Sequence, residues 1–302
     1  MKNNKPELPL VSLLVANYNN SEFIVETLDS ALAQTYPNIE IVIVDDASKD
    51  NSVQIIRKYM QKHSDANIQL FLNYANYGCG RNKRKCIDAS KGEYFAFLDP
   101  EDTIAPTAVE DLMNIHLAEK NKYSIVYSTN YLCNSKLEVE SISTWTGEIP
   151  AGQSNLTTTG GHIFHLALFN KFFYDQTEGM NPCFVVAEDI DSYYKMEEKA
   201  PVFFLNKPLY YYRKHDNNIS WSYEKRYINL YWRHAAEMAA YKRRKNNKTF
   251  AQNLSRVQVH KKKLNFNMQY AKCLRMQKEY LQSVWHNIKA LPYFYTLFFD
   301  KK

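Results

Sequence analysis

Four short apolar runs pace the first third of this chain: Val11 to Ala16, Ile39 to Val44, Ile68 to Leu72 and Tyr94 to Leu98. Each is too short for a typical helix and lacks polar alternation, which predicts strands buried on both faces. Helical patterns fill the intervals. Phe23, Ile24, Leu28, Ala31 and Leu32 share one face, and Ser21 before them is the expected N-cap. Further helices are expected from Ser52 to about His63, from Gly80 to Ala89, and from Pro106 to about Glu119, with a short strand over Ser124 to Ser128. Alternation with such short links predicts an α/β, Rossmann-like and mostly parallel sheet flanked by helices.

In an open sheet of this kind, ligands bind beyond the C-terminal ends of the strands. Tyr18, Asp46, Asp99 and Glu101 all fall there. The last two belong to the run Asp99-Pro100-Glu101-Asp102, where three carboxylates within four residues raise one another's pKa unless a cation sits among them. Hard oxygen ligands suit Mg²⁺ or Mn²⁺. On local sequence alone, the run fits a solvated turn equally well. Tyr18 fits a core position and Asp46 a helix cap.

Beyond residue 130 the alternation weakens. Thr157 to Gly161 reads as a loop and Phe164 to Phe173 as a short helix. The acidic stretch Glu188-Asp189-Ile190-Asp191 opens an amphipathic helix. Val202 to Leu205 and Leu209 to Tyr212 read as two strands around Lys207-Pro208, ending in Arg213-Lys214-His215.

The 302 residues, 45% of them hydrophobic, suffice for one sizeable core with an appendage. Five cysteines show neither paired spacing nor Cys-x-x-Cys, so neither a disulfide framework nor a zinc site is suggested. The N-terminal residues lack the apolar stretch of a signal peptide, and the expected location is cytoplasmic. Charge divides the chain. Residues 222–302 carry 18 Lys and Arg against 4 Asp and Glu, and the remainder 20 against 28, within a net charge of +6. Two units are expected, residues 1–221 and a basic, aromatic-rich helical region over 222–302.

Five blocks in order now carry a resemblance: VSLLVANYN, IEIVIVDDASKDNS, NYGCGRNKRKCIDASKGEYFAFLDPEDT, AEDID and YYYRKHDNNIS. From Pro9 to about Ser220 the chain resembles the family 2 inverting glycosyltransferases of the GT-A fold. The resemblance implies transfer of a sugar from a nucleotide-diphosphate donor, UDP-linked, to a saccharide or lipid-linked saccharide. It places Tyr18 against the uracil, Asp46 on the uracil or ribose, and Asn76 and Arg81 at the diphosphate and sugar. A flat base suits an aromatic face, and an arginine fork suits phosphate oxygens. Lys83, Arg84 and Lys85 read instead as a solvated helix face.

The acid run resembles the family's Asp-x-Asp metal motif, with Asp99 first and Glu101 in the second place. The extra methylene of Glu101 is a departure that keeps oxygen chemistry and changes reach. The implied cofactor is Mn²⁺ or Mg²⁺, with His215 closing the site. Glu188-Asp189 resembles the family's Glu-Asp pair, in which Asp189 is the general base and Glu188 its neighbour. Without the resemblance, an acidic pair at a helix start is a favourable partner of the helix dipole. Trp145, His162 and Tyr174 lie where the family builds its acceptor pocket, whereas the spacing of His162 and His165 gives neither a metal role.

The basic region has three readings. Lys242 to Lys245 and Lys261 to Lys263, with Trp232, Phe250, Trp285, Tyr293, Phe294, Phe298 and Phe299, fit an anionic membrane surface, a nucleic acid, or helices packed on the catalytic unit. The membrane surface is favoured and nucleic acid is the weakest. A non-catalytic nucleotide-sugar or glycan-binding module is the alternative for the chain as a whole.

Overall fold

A computed structural model describes residues 8–158, 162–215, 226–247, 256–276 and 278–298. Thr159 to Gly161, Asp216 to Ser220, Phe250 and Phe299, which figure in the sequence expectations, lie outside the described residues.

The four apolar runs form β1 (Val11–Asn17), β2 (Ile39–Asp45), β3 (Ile68–Leu72) and β4 (Tyr94–Phe97). They pair in parallel in the order β3-β2-β1-β4. Alternate residues bury in opposite layers, which is why the runs show no polar alternation. Leu13 and Ile41 enter one core with Ile24, Leu28 and Ile56; Leu14, Val42 and Phe95 enter the other with Cys86, Tyr127 and Phe169. The intervening helices are α1 (Ile24–Leu32), α2 (Ser52–Lys62) and α3 (Cys79–Ala89). Ser21 does not cap α1. Its backbone N–H donates to Asp50 Oδ2 at 2.9 Å, and the helix begins after Phe23 without a side-chain cap.

Beyond β4 the sheet turns mixed. β5 (Thr103–Ile104) and α4 (Ala108–Ala118) precede the long β6 (Ile125–Cys133), with β7 (Val139–Ile142) along its edge. The segment expected as a helix from Phe164 is instead β8 (Ala167–Asn170) followed by the single turn α5 (Lys171–Tyr174). A short apolar run buried on both faces has no period that separates the two choices. Here the sheet decides, because β8 fills the gap between β4 and β6, antiparallel to both. Phe169 stacks on Phe95 with ring centroids 4.8 Å apart.

Helix α6 (Glu188–Glu197) leads to β9 (Val202–Arg213), one strand where two were expected. It pairs with β6 in parallel, with register shifts around Thr129, which lies opposite Pro208. Proline cannot donate to the ladder, so it sits at the irregularity without ending the strand. β9 also pairs antiparallel with β5 at the sheet edge.

Helices α7 (Arg226–Lys245), α8 (Arg256–Met276) and α9 (Tyr280–Phe298) complete the described chain. α7 packs on α6 through Ala236, Ala240, Trp232 and Tyr194. Two members of the basic run are interior. The Arg244 guanidinium has 0% exposure and bonds Glu197, Glu198 and the Tyr194 carbonyl, while Arg243 bonds Glu198 and Asp191. Among the described residues, no helix is long and apolar enough to cross a membrane.

Candidate active site

The C-terminal ends of β1, β2 and β4, the start of α6 and the end of β9 converge on one edge of the sheet. Three non-glycine residues at this edge adopt left-handed backbone conformations: Asn19 after β1, Ala47 after β2 and Ala187 before α6. Such residues cost of order 1–3 kcal/mol each and cluster where side chains must be aimed.

Beyond β1 and β2, the chain builds a shelf. Asp46 is buried, and its carboxylate accepts from the Tyr77 and Gly78 amides, at 3.0 and 2.8 Å, and from Asn73 Nδ2 at 2.7 Å. Asn76 Oδ1 accepts from the same Gly78 N–H at 3.0 Å. Asp46 and Asn76 therefore shape one loop. Tyr18 stands 40% exposed at the rim of β1, and Arg81 is exposed on α3. Asp45, which the sequence reading left aside, accepts from Asn17 Nδ2 at 2.7 Å and Ser48 Oγ at 2.6 Å, which ties the ends of β1 and β2 together.

The acid run beyond β4 is fixed from behind. Asp102 is buried and accepts from Tyr210 Oη at 2.8 Å and from the Arg213 amide at 2.7 Å. The Arg213 side chain donates to the Glu101 carbonyl at 2.6 Å and pairs with Glu26. Asp102 thus anchors the turn, while the Asp99 and Glu101 side chains keep about a quarter of their surface exposed.

Asp99 meets two partners that the sequence reading missed. Lys83, expected on a solvated face, is buried, with Nζ 3.4 Å from Asp99 Oδ1 and 2.9 Å from Glu188 Oε1. His165, given no role from spacing, is also buried and brings Nε2 to 3.4 Å from Asp99 Oδ2. The signal for Lys83 was present: Gly80, Lys83 and Ile87 follow helical spacing along the buried face of α3. That face passes against residues 181–184, where a Cβ on Gly80 would lie 2.4 Å from the Phe184 carbonyl oxygen.

The electrostatics follow from this packing. Burial penalises the Lys83 ammonium, yet Asp99 and Glu188 outweigh it and push its pKa well above the usual lysine value. Burial likewise opposes Asp99 ionisation, and Lys83 and His165 reverse the balance and hold it low. Burial and then the Asp99 charge raise Glu101 to about 7, with Lys83 and Arg213 opposing and His215 Nε2 4.0 Å from its Oε1. Asp189 is raised by burial and by Glu188, with Lys83 and His165 opposing, and its Oδ1 accepts from the Ile190 amide at 2.8 Å. Cys79 Sγ lies 3.3 Å from Glu188 Oε1.

Of the residues expected at an acceptor pocket, Trp145 is half exposed, edge-on to Phe164 at 6.2 Å. Tyr174 is a core residue instead, buried with its hydroxyl accepting from the Met180 amide at 2.6 Å. His162 donates its backbone N–H to Asn155 Oδ1 at 2.8 Å. Among the described residues, no three His, Cys, Asp or Glu side chains converge to hold a metal ion. The donor chemistry nevertheless suits a hard divalent ion. Asp99 and Glu101 offer oxygens, His215 an imidazole, and the raised Glu101 carboxyl marks negative charge that a cation would relieve.

The mixed sheet and its flanking helices have the GT-A fold of glycosyltransferases. Residues 12–177 match the family described as Glycosyl transferase family 2, and the chain belongs to that family. Chondroitin synthase of Escherichia coli is 30% identical over 216 residues, 70% of this chain and 30% of that protein. An uncharacterized glycosyltransferase of Rickettsia felis is 33% identical over 202 residues, 65% of this chain and 33% of its own. The chain thus spans about a third of the length of these relatives. Among solved structures, S. aureus TarS 1-349 in complex with UDP-GlcNAc superposes with TM-score 0.61 at 18% identity, covering 95% of this chain and 90% of that one. The mannosyltransferase PcManGT from Pyrobaculum calidifontis, in complex with GDP-Man and Mn2+, gives 0.58 at 14%, covering 98% and 89%.

Proposed function

We propose that this glycosyltransferase is inverting and moves a sugar from a UDP-linked donor to a saccharide or lipid-linked saccharide, with Asp189 as general base. The observation that carries the reading is one side chain: Lys83 spans from Asp99, on the donor side, to Glu188, beside Asp189. Donor chemistry and proton removal thereby share one buried charge network. Relatives lend support, since TarS has been solved with UDP and with UDP-GlcNAc.

Tyr18 at the rim would face the base, and the loop held by Asp46 and Asn76 would lie beneath the nucleoside, with Arg81 toward the diphosphate. Asp189 takes the proton of the acceptor hydroxyl as that oxygen attacks the anomeric carbon and the nucleoside diphosphate departs. The raised Asp189 pKa favours this role, because a more basic carboxylate is the better proton acceptor. Asp99, Glu101 and His215 are the residues that would hold Mn²⁺ or Mg²⁺, which when bound offsets charge on the departing diphosphate. The catalytic unit is residues 1–221, and the basic region 222–302 is a second unit whose described helix α7 packs on α6.

Calorimetric titration of UDP into the protein, with Mn²⁺ and again with excess EDTA, tests the donor site. Metal-dependent binding is expected. Heat from neither titration, in a protein that is folded, would remove UDP as the donor nucleotide.

A further inference from the structure

Helix α9 leaves a stripe of its largest aliphatic side chains uncovered. The face against α8 mixes small, polar and aromatic groups: Ser283 and Ala290 are buried, Ser283 Oγ donates to the Ala271 carbonyl at 2.8 Å, His286 Nδ1 meets Asn267 Oδ1 at 3.0 Å, and the His286 ring packs on Tyr270 with centroids 4.6 Å apart. The opposite face carries Leu281, Val284, Trp285, Ile288 and Leu291, at helical spacing, with exposures between 49% and 88%. Five large apolar side chains in one stripe form a contiguous patch, and a patch of that kind marks an interaction surface.

Charge selects the occupant. Lys272 and Arg275 on α8, Lys278 in the turn that follows and Lys289 on α9 are all exposed, and Glu279 is the sole acid among residues 272–291. Lys289 Nζ sits 5.2 Å from the Trp285 ring centroid. A second copy docked face to face would bring these cations against their own counterparts, with one acid per chain to offset them. An anionic bilayer offers the opposite charge, an apolar interior for the leucines and isoleucine, and an interfacial layer that suits tryptophan.

We propose that the Leu281–Leu291 face of α9 seats on the surface of an anionic membrane. Three members of the two basic runs that stand out in the sequence are committed within the protein. Arg243 and Arg244 are spent on α6, and Lys262 pairs with Glu237 on α7. The apolar stripe inserts and the exposed lysines and arginine supply attraction, so binding weakens with salt.

The test is sedimentation of the full chain with phosphatidylglycerol vesicles and with phosphatidylcholine vesicles, at low and raised salt. The protein is expected to pellet with the anionic vesicles at low salt. The triple variant Leu281→Gln, Trp285→Gln and Ile288→Gln should lose roughly tenfold or more in lipid affinity. Leu281→Gln alone, at the most exposed of the five positions, is the milder variant and should show a smaller loss in the same direction. Matching urea midpoints in the variants and wild type establish that the fold is intact. Wild-type protein left in the supernatant with anionic vesicles, or variants that pellet as well as wild type, would overturn the proposal. So would a concentration-dependent dimer that the triple variant abolishes, since the stripe would then belong to a second copy.

Discussion

The Lys83 ammonium lies 2.9 Å from the Glu188 carboxylate and so joins the first turns of α3 to the first residue of α6. The same nitrogen is 3.4 Å from Asp99, at the end of β4. One cation therefore ties two consecutive elements, α3 and the end of β4, to the distant start of α6. Removing it leaves the Glu188 carboxylate, 5% exposed, and Asp99 without this partner.

Replacing Lys83 by methionine keeps the aliphatic stem and deletes the charge. Breaking a buried ion pair from one side costs about 3–5 kcal/mol, because the partner stays buried without compensation. Urea unfolding at pH 8 should therefore show a clear drop in midpoint, and UDP affinity should fall with it. Lys83→Arg should recover part of both. A Lys83→Met protein as stable as wild type at pH 8 would show that the acids find compensation elsewhere.

Asp189→Asn keeps the shape of the side chain and removes its basicity. Turnover should fall by about 10²–10⁴, the usual worth of a positioned base, while UDP still binds. The pH profile carries a second signature. Burial and Glu188 hold the Asp189 carboxyl above its ordinary value, so turnover should decline on the acid side at a higher pH than a solvated aspartate would give. Near-normal turnover in Asp189→Asn would take this residue out of the mechanism.

How far the sequence discloses this arrangement depends on the range of the forces involved. β1 to β4 and α1 to α3 are local features, and the apolar runs and helical spacing define them to within a residue or two. The acids at strand ends follow from the same pattern, because parallel strands deliver their C-termini to one edge. The mixed half of the sheet is different. Ala167 to Asn170 becomes a strand through pairing with β4 and β6, and no local period announces it. His165 likewise gains its place from the bend that enters β8. Lys83 was misread for another reason: a lysine in the basic stretch from Arg81 to Lys85 looks solvated until the buried spacing of Gly80 and Ile87 is set beside it.

Helix α7 bears on α6 through Arg244. Its guanidinium is fully buried and takes Glu198 Oε1 at 2.9 Å and Glu197 Oε2 at 2.7 Å, while the other Glu197 oxygen accepts from the Asn155 amide at 2.7 Å. Burial already raises the Glu197 carboxyl despite the arginine. Arg244→Met should then destabilise the protein by about 3–5 kcal/mol at pH 8, measured as a fall in urea midpoint. No change in midpoint would mean that α7 is not held to α6 through this contact.

His116, on α4, gives a stability effect of known sign. The ring is fully buried against Tyr94, with centroids 4.8 Å apart, and its Nε2 lies 3.4 Å from the Leu168 carbonyl oxygen. Burial lowers its pKa from 6.5 to about 4, with the Leu168 contact opposing. The unfolded chain therefore binds the proton more tightly than the folded one. Stability from this group is complete above about pH 6.5 and drains away as pH falls toward 4, below which both states are protonated. A shift of that size corresponds to about 3 kcal/mol across the window. His116→Gln cannot titrate, so its urea midpoints should vary less between pH 7 and pH 4 than those of wild type. Parallel curves for the two proteins would show that carboxylates alone set the acid sensitivity of the fold.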